Sequence, residues 1–150
     1  MVAIVTSIEI GRSAEDVYAY ATDPTHFHEW QSGVVDGRLE HPGDPVVGSR
    51  CRTTRRIGGA NRASTSEVSH VDPPRTWGVR GIAGPIRATV DLTVVPLAAD
   101  RSRLTITVDF IGHGLGKVLV PLVVRREAAK EMPGNMTTLK QRLESPADRA

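Results

Sequence analysis

Apolar residues recur along the last fifth of the chain at alternating intervals of three and four. Leu115, Val118, Leu122, Ala129, Met132, Met136, Leu139 and Leu143 fall on one stripe, the signature of a helix with one buried face. From Gly114 to Glu144 such a helix would extend about 45 Å at about 1.5 Å per residue. That is longer than a small domain is wide, so it needs a broad surface to lie against. Two features interrupt the stripe. Arg125 stands where an aliphatic residue is expected, and Pro121 and Pro133-Gly134 lie inside the run, where proline removes a backbone bond and crowds the preceding turn. The stripe keeps its phase across Pro133, which predicts one kinked helix and not two. A charge on the buried face suits the wall of a cavity better than a dry core.

Upstream the period shortens to two. Val2 to Ile10 is rich in β-branched residues and predicts a strand. Ser13 reads as an N-cap with Glu15 and Asp16 in the first turn, followed by a short helix carrying Val17, Tyr20 and Ala21. His26 to Gln31 predicts a second helical turn, closed by Gly33. Strands follow at Val34–Glu40, Ser49–Ile57, Asn61–Val71, Thr76–Ile82, Ile86–Val95 and Arg103–Ile111. They are punctuated by His41 to Gly48, Gly58-Gly59, Asp72-Pro73-Pro74-Arg75, Gly84-Pro85 and Pro96 to Ser102. Alternation is sharpest in Ala88, Val90, Leu92 and Val94, then Leu104, Ile106, Val108 and Phe110. Short connections imply antiparallel neighbours with one buried face. The order predicts an α+β domain: a curved antiparallel sheet of about seven strands wrapped around a long C-terminal helix, with two short helices between the first two strands.

Composition narrows this picture. A chain of 150 residues is expected to form one domain, residues 1–145, with a frayed tail at 146–150. Aromatic content of 4% is too low for a base-stacking surface. The densest basic group, Arg50, Arg52, Arg55 and Arg56, alternates along one strand and so splits between two faces. No nucleic-acid partner is expected. The single cysteine, Cys51, excludes an internal disulfide and fits a reducing cytoplasm. No apolar run reaches signal-peptide or membrane-span length, so neither secretion nor stable membrane insertion is expected. A homodimer is left open.

Particular local residues sharpen the fold. Ala14-Glu15-Asp16-Val17-Tyr18 is followed by Asp23-Pro24 and Trp30, then by Val47-Gly48-Ser49. Glu67-Val68-Ser69-His70-Val71-Asp72-Pro73-Pro74-Arg75 and Leu139-Lys140-Gln141-Arg142-Leu143-Glu144 complete the series. In this order, and over essentially the whole chain, they resemble the START-like (SRPBCC) superfamily with the helix-grip fold, most of all its polyketide cyclase/dehydrase and lipid-transport branch. The resemblance implies a cavity that holds a hydrophobic or amphipathic small molecule between sheet and C-terminal helix. The branch shares a cavity more than a reaction, so fold alone does not assign chemistry. Pro133-Gly134 departs from the regular helix usual in the family, and Cys51 stands where a bulky aromatic is more common.

Candidate site residues follow from these patterns. Trp30, Trp77, Val79, Val90, Leu92, Val108, Phe110, Leu119 and Leu122 are expected to hold an apolar body. If Cys51 faces inward, alternation carries Thr53, Arg55 and Ile57 to the same face. Arg55 and Arg125 would then orient one polar end, as guanidinium suits a carboxylate or phenolate. The competing reading of Arg125 pairs it with an acid such as Glu127 or Glu131. His70 and Glu67 are the candidate general bases; they lie on opposite faces of one strand unless a bulge intervenes. His26, His28 and Glu29 lack the spacing of a zinc helix, so no metal is expected, and His26, Phe27 and Trp30 are read as the cavity rim. Gly112 to Val118 is not a phosphate loop, since Ile111 and Val118 stand where glycine and Ser or Thr are required. Cys51 has no adjacent base to make it a nucleophile. No cofactor is expected.

Three functions remain in order: binding, transport or sequestration of an apolar or amphipathic small molecule; a cyclase/dehydratase acting on an aromatic polyketide-like substrate; and a protein-partner regulator with a collapsed cavity. Converging acid/base side chains inside the pocket would separate the second from the first.

Overall fold

The computed structural model describes residues 3–41, 43–57, 59–84, 86–112 and 125–145. Strand β1 (Ile4–Ile10) leads into helix α1 (Ala14–Ala21), a 3-10 turn (Pro24–His26) and the single-turn helix α2 (Phe27–Trp30). Six strands follow: β2 (Val34–Leu39), β3 (Arg50–Ile57), β4 (Ala60–Asp72), β5 (Thr76–Ala83), β6 (Ile86–Ala98) and β7 (Arg101–Gly112). Helix α3 (Arg125–Glu144) closes the described chain. The strands form one antiparallel sheet in the order β1-β7-β6-β5-β4-β3-β2. The α+β order, the seven strands and the terminal helix are those of the helix-grip fold. Leu115, Val118, Leu119, Pro121, Leu122 and the tail after Ser145 lie outside the described residues.

Local sequence explains the joints. The Ser13 hydroxyl accepts the Asp16 N–H at 3.2 Å and caps α1, and the Asp23 carboxylate accepts the Thr25 N–H at 3.0 Å to cap the 3-10 turn. That turn rides over β2 at Gly37, where a Cβ would stand 2.6 Å from the Pro24 carbonyl oxygen. At the far end, β6 and β7 extend through the expected Pro96–Ser102 loop and leave only Ala99-Asp100 as the turn. Pro96 is accommodated there because a register shift between Pro96 and Ala98 relieves the ladder.

The closed core lies where α3 packs against β1 and α1 packs against β6 and β7. Leu139 and Leu143 bury with Ile10, Val94 and Leu104, each worth about 1.5–3 kcal/mol when fully removed from water. Helix α3 runs unbroken through Pro133. Pro133 and Ala129 are both exposed, so the carbonyl that loses its helical partner faces solvent. Ala129, expected on the buried stripe, therefore lies outside it, and Ala128 takes the inward position ahead of Met132.

Candidate functional site: a walled cavity with one cationic end

A cavity of about 180 Å³ separates the concave face of the sheet from the N-terminal half of α3. Alternation supplies its floor: Trp77 and Val79 from β5, Val90 and Leu92 from β6, and Val108 and Phe110 from β7. Strand β3 turns Cys51, Thr53 and Arg55 to the same side, as a period of two requires. The side chain of Ile57 is outside the described set. Helix α3 forms the roof with two rows at i, i+4 spacing, Ala128–Met132–Met136 and Glu127–Glu131–Asn135. Three rings close one end. Phe27 meets Trp30 edge-on at 6.1 Å and Trp77 at 6.3 Å, the arrangement favoured by aromatic quadrupoles.

Arg55 defines the polar end. Its Nη2 donates to the Gln31 side-chain oxygen at 3.0 Å, and among the described residues no carboxylate lies within ion-pair distance of it. Burial pulls the guanidinium pKa below its ordinary value, while the nearby Cys51 and Glu131 pull the other way. A guanidinium still stays protonated under any physiological condition, so the cavity contains a partly desolvated cation. The Cys51 thiol is buried, 3.8 Å from the Thr53 hydroxyl, and burial pushes its pKa up. That favours the inert thiol over a nucleophilic thiolate. The Trp30 indole nitrogen is buried and has no hydrogen-bond partner among the described residues.

Supporting contacts hold the rim. Asn135 on α3 accepts from the Ser32 N–H at 3.1 Å and from its hydroxyl at 3.2 Å, tying the α2–β2 connection to the roof. His26 does not line the cavity with Phe27 and Trp30. Its Nδ1 lies 2.9 Å from Glu29 Oε2, while the Tyr20 hydroxyl donates to Glu29 Oε1 at 2.9 Å and Arg142 stands 3.6 Å away. Burial acts to raise the Glu29 pKa, but the His26 and Tyr20 hydrogen bonds and the Arg142 charge outweigh it and hold the carboxyl below its ordinary value. Among the described residues no group of three His, Cys, Asp or Glu is placed to hold a metal.

Three expected site residues stand elsewhere. The Arg125 guanidinium does not line the cavity: it pairs with Asp109 and donates to the Phe110 carbonyl on β7. Its carboxylate partner comes from the sheet and is neither Glu127 nor Glu131. Glu67 and His70 are also absent from the lining. A bulge between Val68 and His70 cancels the alternation, and the register sets Glu67 opposite Arg80 and His70 opposite Gly78. Both side chains therefore lie on the convex face, with His70 Nε2 2.7 Å from Asp91. Sequence reasoning missed Glu127, Glu131 and Asn135 as a lining row, although their spacing of four, one step from the apolar stripe, was visible. Gln31 carried no such signal.

Comparisons with known proteins agree with this architecture. The family described as "Polyketide cyclase / dehydrase and lipid transport" matches residues 1–144. No curated protein matches the chain by sequence. Among solved structures, the Zhui aromatase/cyclase of a Streptomyces species is similar over 95% of this chain and 96% of its own, at 15% identity and a TM-score of 0.72. A START superfamily protein from Mycobacterium smegmatis is similar over 95% and 97%, at 16% identity and a TM-score of 0.74. A protein from Thermus thermophilus is similar over 94% and 96%, at 16% identity and a TM-score of 0.75. At these identities the likeness is one of fold.

Proposed function

The chain belongs to the polyketide cyclase/dehydrase and lipid-transport family, and from that premise we propose that it binds a compact, largely apolar molecule carrying one anionic or strongly polar end. The observation that carries this reading is Arg55, a half-buried guanidinium without a carboxylate partner among the described residues, on the wall of a largely apolar cavity. Pockets that bind small molecules combine apolar walls with a few placed polar groups. A cation held in such a wall without an ion-pair contact gains most from an anion delivered by the ligand. The size of the cavity, about 180 Å³, is slightly more than the roughly 150 Å³ that accepts benzene, which favours a body of one or two rings. Open volume also supports binding over the regulator reading, which needs a collapsed cavity. No described helix is long and apolar enough to cross a membrane, and the buried Cys51 thiol suits a cytoplasmic setting.

The test is native mass spectrometry of the protein isolated from the cells that make it, beside a denatured control. A reproducible bound mass, released on denaturation and containing an acidic group, is expected. Protein that arrives empty and also refuses benzoate and 1-naphthoate in titration would remove the reading.

A second reading, cyclase or dehydratase chemistry on an aromatic substrate, is favoured by one observation. Glu131 lines the same cavity as Arg55, and its charge acts on that guanidinium. A carboxylate to accept a proton and a cation to stabilise the resulting oxyanion are the parts such a reaction needs. The Streptomyces protein of the same fold is an aromatase/cyclase by name. Turnover lost in Glu131→Gln with ligand binding retained would support this reading over simple binding.

A further inference from the structure

We propose that the β3–β4 wall reads a second oxygen on the ligand: the Ser64 hydroxyl, one step along the ladder from Arg55, bonds a hydroxyl or keto oxygen at the end of the ring remote from the anionic group. This rests on the binding reading above and deepens it, since the ligand becomes an aryl acid oxygenated opposite its acid group.

The register of β3 and β4 sets Arg55 opposite Arg62, Thr53 opposite Ser64 and Cys51 opposite Ser66, and all six line the cavity. Directly opposed residues of neighbouring strands point to the same face. Cys51 and Thr53 are both buried, thiol and hydroxyl 3.8 Å apart, so Ser64 and Ser66 turn inward with them. Strands β5, β6 and β7 present only apolar side chains at the equivalent positions, from Trp77 to Phe110. The cavity therefore has two unlike walls, one a ladder of polar pairs and the other apolar. Ser64 and Ser66 are half-buried. Neither hydroxyl has a hydrogen-bond partner among the described residues, and neither oxygen is sealed from access. A wholly apolar body laid on this wall would strip water from both and leave them unmatched, which is costly. An oxygen on the ligand restores the bond, and a hydroxyl serves either kind of partner because it both donates and accepts. Same-face neighbours along a strand are about 7 Å apart, two residues at about 3.4 Å each. With the acid group at Arg55, the Ser64 step falls at the far side of a single ring. An oxygen ortho to the acid group stays beside the arginine and does not span that step.

The test is calorimetric titration of wild type and Ser64→Ala with benzoate, 2-hydroxybenzoate and 4-hydroxybenzoate, which share ring and acid group and differ only in the second oxygen. In Ser64→Ala, 4-hydroxybenzoate affinity should fall about 5- to 10-fold, the loss of one hydrogen bond. Benzoate and 2-hydroxybenzoate should stay within about twofold, and unchanged benzoate affinity also shows that the variant keeps its cavity. The empty variant should be at least as stable as wild type in thermal unfolding, because the deleted hydroxyl has no described partner to lose. Benzoate binding to wild type, with 4-hydroxybenzoate no more sensitive to Ser64→Ala than benzoate, would overturn the second-oxygen role and leave the binding reading standing. Equal sensitivity of the 2- and 4-hydroxy acids would overturn the placement opposite the acid group. Refusal of all three by wild type would overturn both readings.

Discussion

The Arg125 guanidinium, at the described start of α3, pairs with Asp109 and also donates to the Phe110 carbonyl at 2.9 Å. One side chain thereby fastens the roof of the cavity to β7, beyond Val108, the last β7 residue in the described pairing with β1. The Arg125 pair and the neighbouring backbone N–H of Phe110 hold the Asp109 carboxyl below its ordinary range. A carboxyl depressed in the folded state adds stability above its unfolded pKa, and that stability is lost as the pH falls through the depressed folded value. Arg125→Leu should therefore lower stability by about 1–2 kcal/mol near neutrality. The lower end is expected because the Asp109 side chain is 44% exposed against 15% for Arg125, and solvent screens the pair. The difference between variant and wild type should shrink on acidification below the ordinary aspartate range, in denaturant titrations run as a pH series. Retention of an acidic ligand should be unchanged; a large loss would put Arg125 back among the ligand contacts.

Arg55→Leu should behave in the opposite way. Losing a charge-assisted hydrogen bond to the ligand, worth about 1.5–3 kcal/mol, predicts a 10- to 100-fold weaker affinity for benzoate or 1-naphthoate. Toluene affinity should stay within about twofold, since it presents no charge to the site. Stability of the empty protein should hold or rise, because a half-buried cation whose hydrogen-bond partner among the described side chains is Gln31 has been replaced by an apolar group. Calorimetric titration of both probes, with thermal unfolding of the empty variants, reads both arms. Equal losses for the two probes would indicate a packing role for Arg55 and no ionic one.

Gly37 makes the third case. A methyl group there would be driven against the Pro24 carbonyl oxygen, which is backbone and cannot step aside. Gly37→Ala should cost about 1–3 kcal/mol, the usual range for overpacking, and should lift the 3-10 turn from β2. Because that turn leads directly into Phe27 and Trp30, ligand affinity should fall together with stability. A variant as stable as wild type by chemical denaturation would show that the contact yields.

Sequence by itself determined the elements and most of the wall. A period of two assigned the strands and put Trp77, Val79, Val90, Leu92, Val108 and Phe110 on one face, because side-chain direction in a strand is fixed by the backbone. The same reasoning brought Cys51, Thr53 and Arg55 to one side. The helical stripe located Met132, Met136, Leu139 and Leu143 for the equivalent reason at a period of 3.6. Tertiary structure decided what periodicity leaves free. Between Ala128 and Ala129, both compatible with the stripe, only the rotation of α3 against the sheet chose the inward residue. A single bulged residue in β4 carried Glu67 and His70 together to the outer face, since one inserted residue reverses every side chain beyond it. Arg125 found Asp109 sixteen residues earlier in the chain, and Arg55 found Gln31 instead of a carboxylate. The partners of a charge are chosen by three-dimensional proximity, which local spacing does not encode.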